Sequence, residues 1–438
     1  MLLNAADKAL WRLALPMIFS NITVPLLGLV DTAVIGHLDS PVYLGGVAVG
    51  ATATSFLFML LLFLRMSTTG LTAQAWGAKD PQRLARALVQ PLALALGAGV
   101  LIILLRLPLI DLALHIVGGS EAVLEQARRF LEIRWLSAPA SLANLVLLGW
   151  LLGVQYARAP VILLVVGNLL NIVLDLWLVM GLRMNVQGAA LATVTAEYAT
   201  LIIGLLMAKR VLTLRGVSLA MLKNAWRGDL RRLLALNRDI MLRSLLLQLC
   251  FGALTVFGAR LGSDIVAVNA VLMTMLTFTA YAQDGFAYAV EAHSGQAYGA
   301  RDGSQLLEVW RAACRQSGMV ALAFALIYSL AGQYIIALLT SLPSLQQLAD
   351  RYLIWQTILP VVGVWCYLLD GMFIGATRGA EMRNSMAVAA AGFAVTLLTL
   401  PVLGNHGLWL ALAVFLALRG LSLALIWRRH WRRGTWFS

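Results

Sequence analysis

Stretches of about twenty apolar residues recur along almost the entire chain, interrupted only where charged residues, proline and glycine gather. A soluble interior cannot absorb that much, because single cores stop growing near roughly 250–300 residues, whereas 61% of these 438 residues are apolar and only 12% are charged. A lipid bilayer can. Breaking the sequence at its charge, proline and glycine clusters predicts twelve spans, near 10–36, 43–70, 88–110, 130–155, 160–181, 187–208, 236–260, 265–292, 312–335, 350–375, 384–403 and 407–427. The expected fold class is therefore an all-α integral membrane protein.

Lys and Arg number 33 against 20 Asp and Glu, a net charge of +13. In a membrane protein that excess points first to one side of the bilayer and not to a nucleic acid, which is not expected as a partner. With the N-terminus inside, 24 of the 33 basic residues fall on inner segments, nine of them between Lys209 and Arg243, and 7 fall on outer segments. Both termini are thus expected in the cytoplasm, with Arg65 and Arg419 left inside spans. The first residues show no short apolar core followed by a small-residue cleavage site, so the first span is expected to be kept. Cys250, Cys314 and Cys366 have no CxxC or zinc-type spacing, the five histidines share no ligand spacing, and no firm metal site is expected. Without a Walker A, HExxH or GxSxG motif, neither an enzyme nor an ATP-driven pump is expected. Transport would need no cofactor, only an ion gradient.

The basic stretch lies at mid-chain, and the sequence repeats across it. QAWGAKD at 74–80 returns as QAYGARD at 296–302, GWLLG at 149–153 returns as GMFIG at 371–375, both 222 residues on, and Pro139 and Pro360 are 221 apart. The expected organisation is an N-terminal half over 1–208, a basic linker over 209–235, a C-terminal half over 236–427 and a basic tail over 428–438. Six spans return the chain to its starting side, so the halves are parallel repeats, an architecture of transporters that work by alternating access. The paired GxxxG segments point to close helix packing.

A carboxylate in the hydrocarbon layer costs at least about 2.5–3.5 kcal/mol, so each needs a partner, a proton or a wet cavity. Those within spans are Asp31, Asp175, Glu197, Asp284, Glu291 and Asp370. Asp31 reads either as a residue of the outer rim or, three turns from Ser20, as part of an inward polar stripe. Asn168, Asn171 and Asp175, spaced i, i+3 and i+7, form a second stripe, either interhelical glue or a titrating site raised in pKa by desolvation. Thr193 and Glu197 are four apart, with Glu197 reading mainly as structural; Asp284 and Asp370 either line a substrate cavity or pair with arginine. Pro16 and Pro25 each remove a backbone hydrogen bond from the first span and bend it. Arg65 reads most simply as a snorkelling or ion-paired residue.

With PMIFSNITVPLLGLVDTAVIG at the front, NIVLD in the fifth span and the QAWGAKD/QAYGARD pair, the whole chain resembles the multidrug and toxic compound extrusion (MATE) family, and within it the DinF branch. The resemblance implies a V-shaped two-lobe bundle of twelve helices. It implies a monomeric exporter of cationic, amphipathic small molecules in the bacterial inner membrane, running against protons or sodium. It places the coupling cluster on Asp31, Asn171, Asp175 and Thr193, which would also hold Na+ if sodium is the coupling ion, with Pro16 as the hinge and Asn168, Glu197, Asp284 and Asp370 as candidate cavity residues. The chain departs from the related NorM branch: its seventh span reads SLLLQLCFG, with Gln248 and no glutamate, although Asp370 falls where that branch carries a tenth-helix aspartate. A second reading is a flippase for an amphipathic lipid-linked precursor, which would call for cationic residues such as Arg65 and Arg419.

Overall fold

The computed structural model describes residues 3–437 apart from 37, 39 and 229, with side chains described everywhere but 23–33. Twelve long helices follow one another: α1 (Ala5–Gly36), α2 (Pro41–Gly77), α3 (Pro81–Leu104), α4 (Glu121–Gly153), α5 (Arg158–Gly181), α6 (Asn185–Leu214), α7 (Leu230–Leu261), α8 (Ser263–Gly299), α9 (Gly303–Leu339), α10 (Pro343–Gly375), α11 (Gly379–Leu403) and α12 (Asn405–Arg433). Among the described residues eleven of these are long and apolar enough to cross a membrane, and the 32-residue α1 is the twelfth. No strand occurs among the described residues.

Several helices overrun the apolar spans, because a helix ends at a cap and not where hydropathy falls. α3 starts at Pro81, seven residues before the predicted span, since Asp80 Oδ1 accepts from the backbone N–H of Gln82 (3.1 Å) and Arg83 (3.3 Å) and Pro81 needs no donor there. α9 starts at Gly303 for the same reason, Asp302 accepting from Gln305 N at 3.1 Å. The segment read as a linker over 209–235 is mostly helical. α6 continues to Leu214, stopping just before Gly216 with its left-handed φ of 79°; a short helix covers Leu219–Asn224, and α7 begins at Leu230.

The repeat is visible in backbone detail. Lys79 and Arg301 both adopt left-handed φ (53° and 54°), as do Gln155 and Thr377 (63° and 54°), each pair 222 apart. Asp80 N donates to Ala75 O at 3.2 Å and Asp302 N to Ala297 O at 3.0 Å. The GxxxG glycines also correspond. A Cβ on Gly149 would lie 2.6 Å from Arg65 O, and one on Gly371 would lie 2.7 Å from Ala287 O. α4 therefore closes on α2, and α10 on α8, through the same small-residue contact.

By contacts the chain divides into two units, Ile22–Leu233 and Met1–Asn21 with Leu234–Ser438. In the first, wholly buried Trp150 packs with Leu147 and Leu151 and donates Nε1 to Leu84 O at 3.1 Å. In the second, Trp409 packs with Leu408 and Leu412 and donates to Asn269 Oδ1 at 3.1 Å. Both of these buried indole N–H groups thus have an acceptor. The start of α1 belongs to this second unit: Leu10, Leu13, Ala14 and Met17 are buried, Trp11 Nε1 donates to Gln316 Oε1 at 2.9 Å, and the Trp11 ring meets Phe286 edge-on at 4.9 Å.

Candidate functional site

In the first unit the amide and carboxylate stripe of α5 is largely inside the protein. Asn171 and Asp175 are each 1% exposed, while Asn168, one turn earlier, is half-buried. Asp175 stands where the α-helix widens into a π-helical stretch over Leu176–Gly181, a departure from regular hydrogen bonding often found at functional sites. α5 lies along α6, with Gly167 against Thr200 and Leu178 against Gly188. Those two contacts bracket the pair from both ends, which puts Asn171 and Asp175 at the level of Thr193. Thr193 is half-buried and donates to Ala189 O at 3.2 Å, leaving its oxygen lone pairs available. Among the described residues Asn171 Oδ1, though buried, meets no hydrogen-bond donor. A buried amide oxygen, a buried carboxylate and a hydroxyl oxygen are donors that suit a proton or a hard cation.

Asp31 lies on α1, but its side chain is outside the described residues. Pro16 is half-buried in the part of α1 that belongs to the second unit, five residues before the division at Asn21–Ile22 and fifteen before Asp31. Glu197 is tied into α4: Arg134 Nη2 lies 3.4 Å from Oε1, Ser141 Oγ donates to Oε2, and Asn144 Nδ2 donates to the Glu197 carbonyl at 3.2 Å. Arg65 is buried and donates to Thr69 Oγ1 at 3.3 Å.

In the second unit Asp370 on α10, 6% exposed, receives two guanidinium groups on the same Oδ2, Arg243 Nη2 from α7 at 2.6 Å and Arg419 Nη2 from α12. Arg419 also lies over the rings of Phe415 (5.6 Å) and Tyr367 (6.0 Å). The triad carries one net positive charge. Half-buried Asp284 on α8 acts electrostatically on Cys366 and Tyr367 beside it. Counting only Arg65 and Arg419 as span arginines needs correction: Arg243 is buried well inside α7. The signal was present, since Arg243 falls within the predicted span 236–260, but as the last of a basic run it looked like part of the linker. Among the described residues no group of three or more His, Cys, Asp or Glu side chains is arranged to hold a metal.

Comparison with known proteins agrees with this architecture. The MatE family profile matches residues 16–177 and 240–403, one stretch in each half, and the chain belongs to that family. It is a multi-pass membrane transporter and not an enzyme. It is 87% identical over 436 residues to the DNA damage-inducible protein F of Escherichia coli (strain K12), covering 100% of this chain and 95% of that protein. A probable multidrug resistance protein NorM of Acinetobacter baylyi is 23% identical over 431 residues, 96% of this chain and 94% of that one. A MATE crystal structure in the bent conformation superposes with a TM-score of 0.84 at 23% identity, over 98% of this chain and 96% of that one. The resemblance read from the sequence is borne out, as is the twelve-helix fold.

Proposed function

We propose that the chain is a secondary active exporter of cationic, amphipathic small molecules, driven by inward flow of protons through Asp31, Asn171, Asp175 and Thr193. The observation that carries this reading is the pair Asn171 and Asp175, both 1% exposed, in the middle of a membrane-spanning helix. Keeping a carboxylate there is expensive, and one whose protonation changes the helix packing around it can bias a two-state equilibrium. The division between units falls on α1 between Pro16 and Asp31, which suits a bend at Pro16 as the link from protonation to movement. Sodium on the same oxygen donors is the alternative coupling ion. The excess of basic residues on the inner segments supports cytoplasmic termini in the bacterial inner membrane, and the proposed transport unit is a monomer.

The buried Arg243–Asp370–Arg419 triad supports a second reading, transport of an amphipathic molecule with an anionic headgroup, because it supplies the cationic site a flippase would need. One assay separates the two. Uptake of a lipophilic cation into everted vesicles, the direction of export, is measured under an imposed pH gradient with the lumen acidic, with and without sodium, for wild type, Asp31→Asn and Asp175→Asn. Loss of gradient-dependent uptake in either variant is the expected result. Undiminished transport in both would sink the cluster assignment, and no cation uptake by wild type would favour the flippase.

A further inference from the structure

The fold makes one cavity twice, and only one copy is lined with arginine. In the first unit a cavity of about 80 Å³ lies between Leu71 of α2, the first turns of α3 and the start of α7, with Arg83, Arg86 and Arg232 on its walls. In the second unit a cavity of about 220 Å³ is lined by His293, Gln305 and Glu308, with Ala9 and Leu10 of α1 in place of the start of α7. His293, Gln305 and Glu308 stand 222 residues after Leu71, Arg83 and Arg86. The hole therefore follows from the repeated fold, whereas the three positive charges belong to the first copy.

Basic side chains outnumber acidic ones around this cavity. Asp80, the near acid, spends Oδ1 on the backbone N–H groups of Gln82 and Arg83 at the start of α3. The Arg83 guanidinium donates to no partner among the described residues; the like charges of Arg232 and Arg86 oppose it, and Asp80 favours it. Asp229 lies outside the described residues. Even with both acids counted, residues 79–90 and 221–233 hold seven basic side chains against two acidic ones. The arginines are also held in place. Arg86 Nε donates to Arg227 O at 3.1 Å, and Arg232 Nη2 to Gln74 Oε1 at 3.2 Å. Gln82 and Gln90 bind the carbonyls of Met221 (3.4 Å) and Trp226 (3.3 Å), strapping the segment across the helix. Trp226 is 64% exposed, and Leu219 and Leu230 of the same segment are exposed too. An exposed indole beside leucines is the usual side-chain choice at the headgroup level of a bilayer.

We propose that this first-unit cavity binds the phosphate of an anionic phospholipid headgroup, with Arg83, Arg86 and Arg232 as its cationic ligands and the lipid chains running past Trp226. Guanidinium groups pair with phosphate through charge-assisted, often bidentate hydrogen bonds, and basic pockets at the cytoplasmic ends of membrane helices suit such headgroups.

The test uses the full chain in detergent, titrated with short-chain phosphatidylglycerol, phosphatidylcholine or inorganic phosphate, with native mass spectrometry counting bound lipid. Wild type is expected to retain phosphatidylglycerol over phosphatidylcholine. Arg83→Gln and Arg232→Gln should each weaken the apparent Kd about tenfold, the loss of one charge-assisted hydrogen bond, while Arg301→Gln leaves it unchanged. Should a single variant not fold, Gln305→Arg with Glu308→Arg in the second cavity is expected to add a second bound phosphatidylglycerol. Equal retention of the two lipids, wild-type affinity in folded arginine variants, or no added lipid in the gain-of-charge variant would each overturn the proposal. Binding of inorganic phosphate as tight as that of the lipid would assign the site to free phosphate and overturn the lipid assignment.

Discussion

Position 171 and position 393 are repeat equivalents 222 residues apart, both buried in the fifth helix of their half, yet one is asparagine and the other phenylalanine. One turn on, Asp175 corresponds to Leu397. In the second unit this place is filled apolarly, Phe393 meeting Phe415 edge-on at 6.1 Å. The contrast reverses on the fourth helix, where Asp370 with its two arginines corresponds to Leu148. Matched backbones thus carry buried polarity at different levels. Packing sets where the helices lie, and at these positions one half keeps polar chemistry where the other is apolar, although Thr72 and Ser294, also 222 apart, are buried and polar in both. Such an asymmetry is hard to explain as generic helix glue, which the parallel repeat would be expected to use twice.

The largest effect expected is functional. Asp175→Asn removes the carboxylate proposed to carry the proton and should abolish most gradient-driven efflux while the purified protein keeps its thermal midpoint. Leu397→Asn, at the equivalent place, should leave efflux near wild type. Equal losses in both would dissolve the comparison. Next, Asp370→Leu leaves Arg243 and Arg419 buried without their shared carboxylate and should cost about 3–5 kcal/mol of stability, read by thermal unfolding in detergent. Replacing all three by well-packed apolar residues should recover much of that loss, and failure to recover would point to a role for the triad beyond folding. Smaller still, Gly149→Leu and Gly371→Leu should each destabilise by about 1–3 kcal/mol through overpacking against α2 and α8. Near-equal values would sharpen the view that the two scaffolds are alike. The mildest pair is Asp80→Ala and Asp302→Ala, each expected to lose about 1 kcal/mol as a helix cap is removed.

The local features were legible in the chain because they depend on neighbours in sequence. Hydropathy over about twenty residues marks a span, an Asp before a helix marks its start, and GWLLG and GMFIG mark close packing whichever helix they meet. Asn171 and Asp175 were legible for the same reason, since i, i+4 spacing alone puts them on one face. Boundaries were less so, as the capped helices α3 and α9 begin well before their apolar runs. Arg243 was hidden by its company, because a basic run that ends inside a helix looks the same in sequence as one that stops at the membrane surface.

From its sequence alone this protein is an all-helical membrane transporter built by duplication, with buried acids on nameable helices, since burying so much apolar surface and repeating the same turns leaves few other outcomes. Only the tertiary structure decided that Asp370 shares its oxygen between arginines 127 and 49 residues away. It also decided that Glu197 is spent on Arg134 and Ser141, that residues up to Asn21 pack with the second half, and that three arginines from two helices surround one cavity. Each depends on how far helices rotate and slide against one another, which is set by the shapes of all the side chains between them and leaves no periodic trace in any one segment.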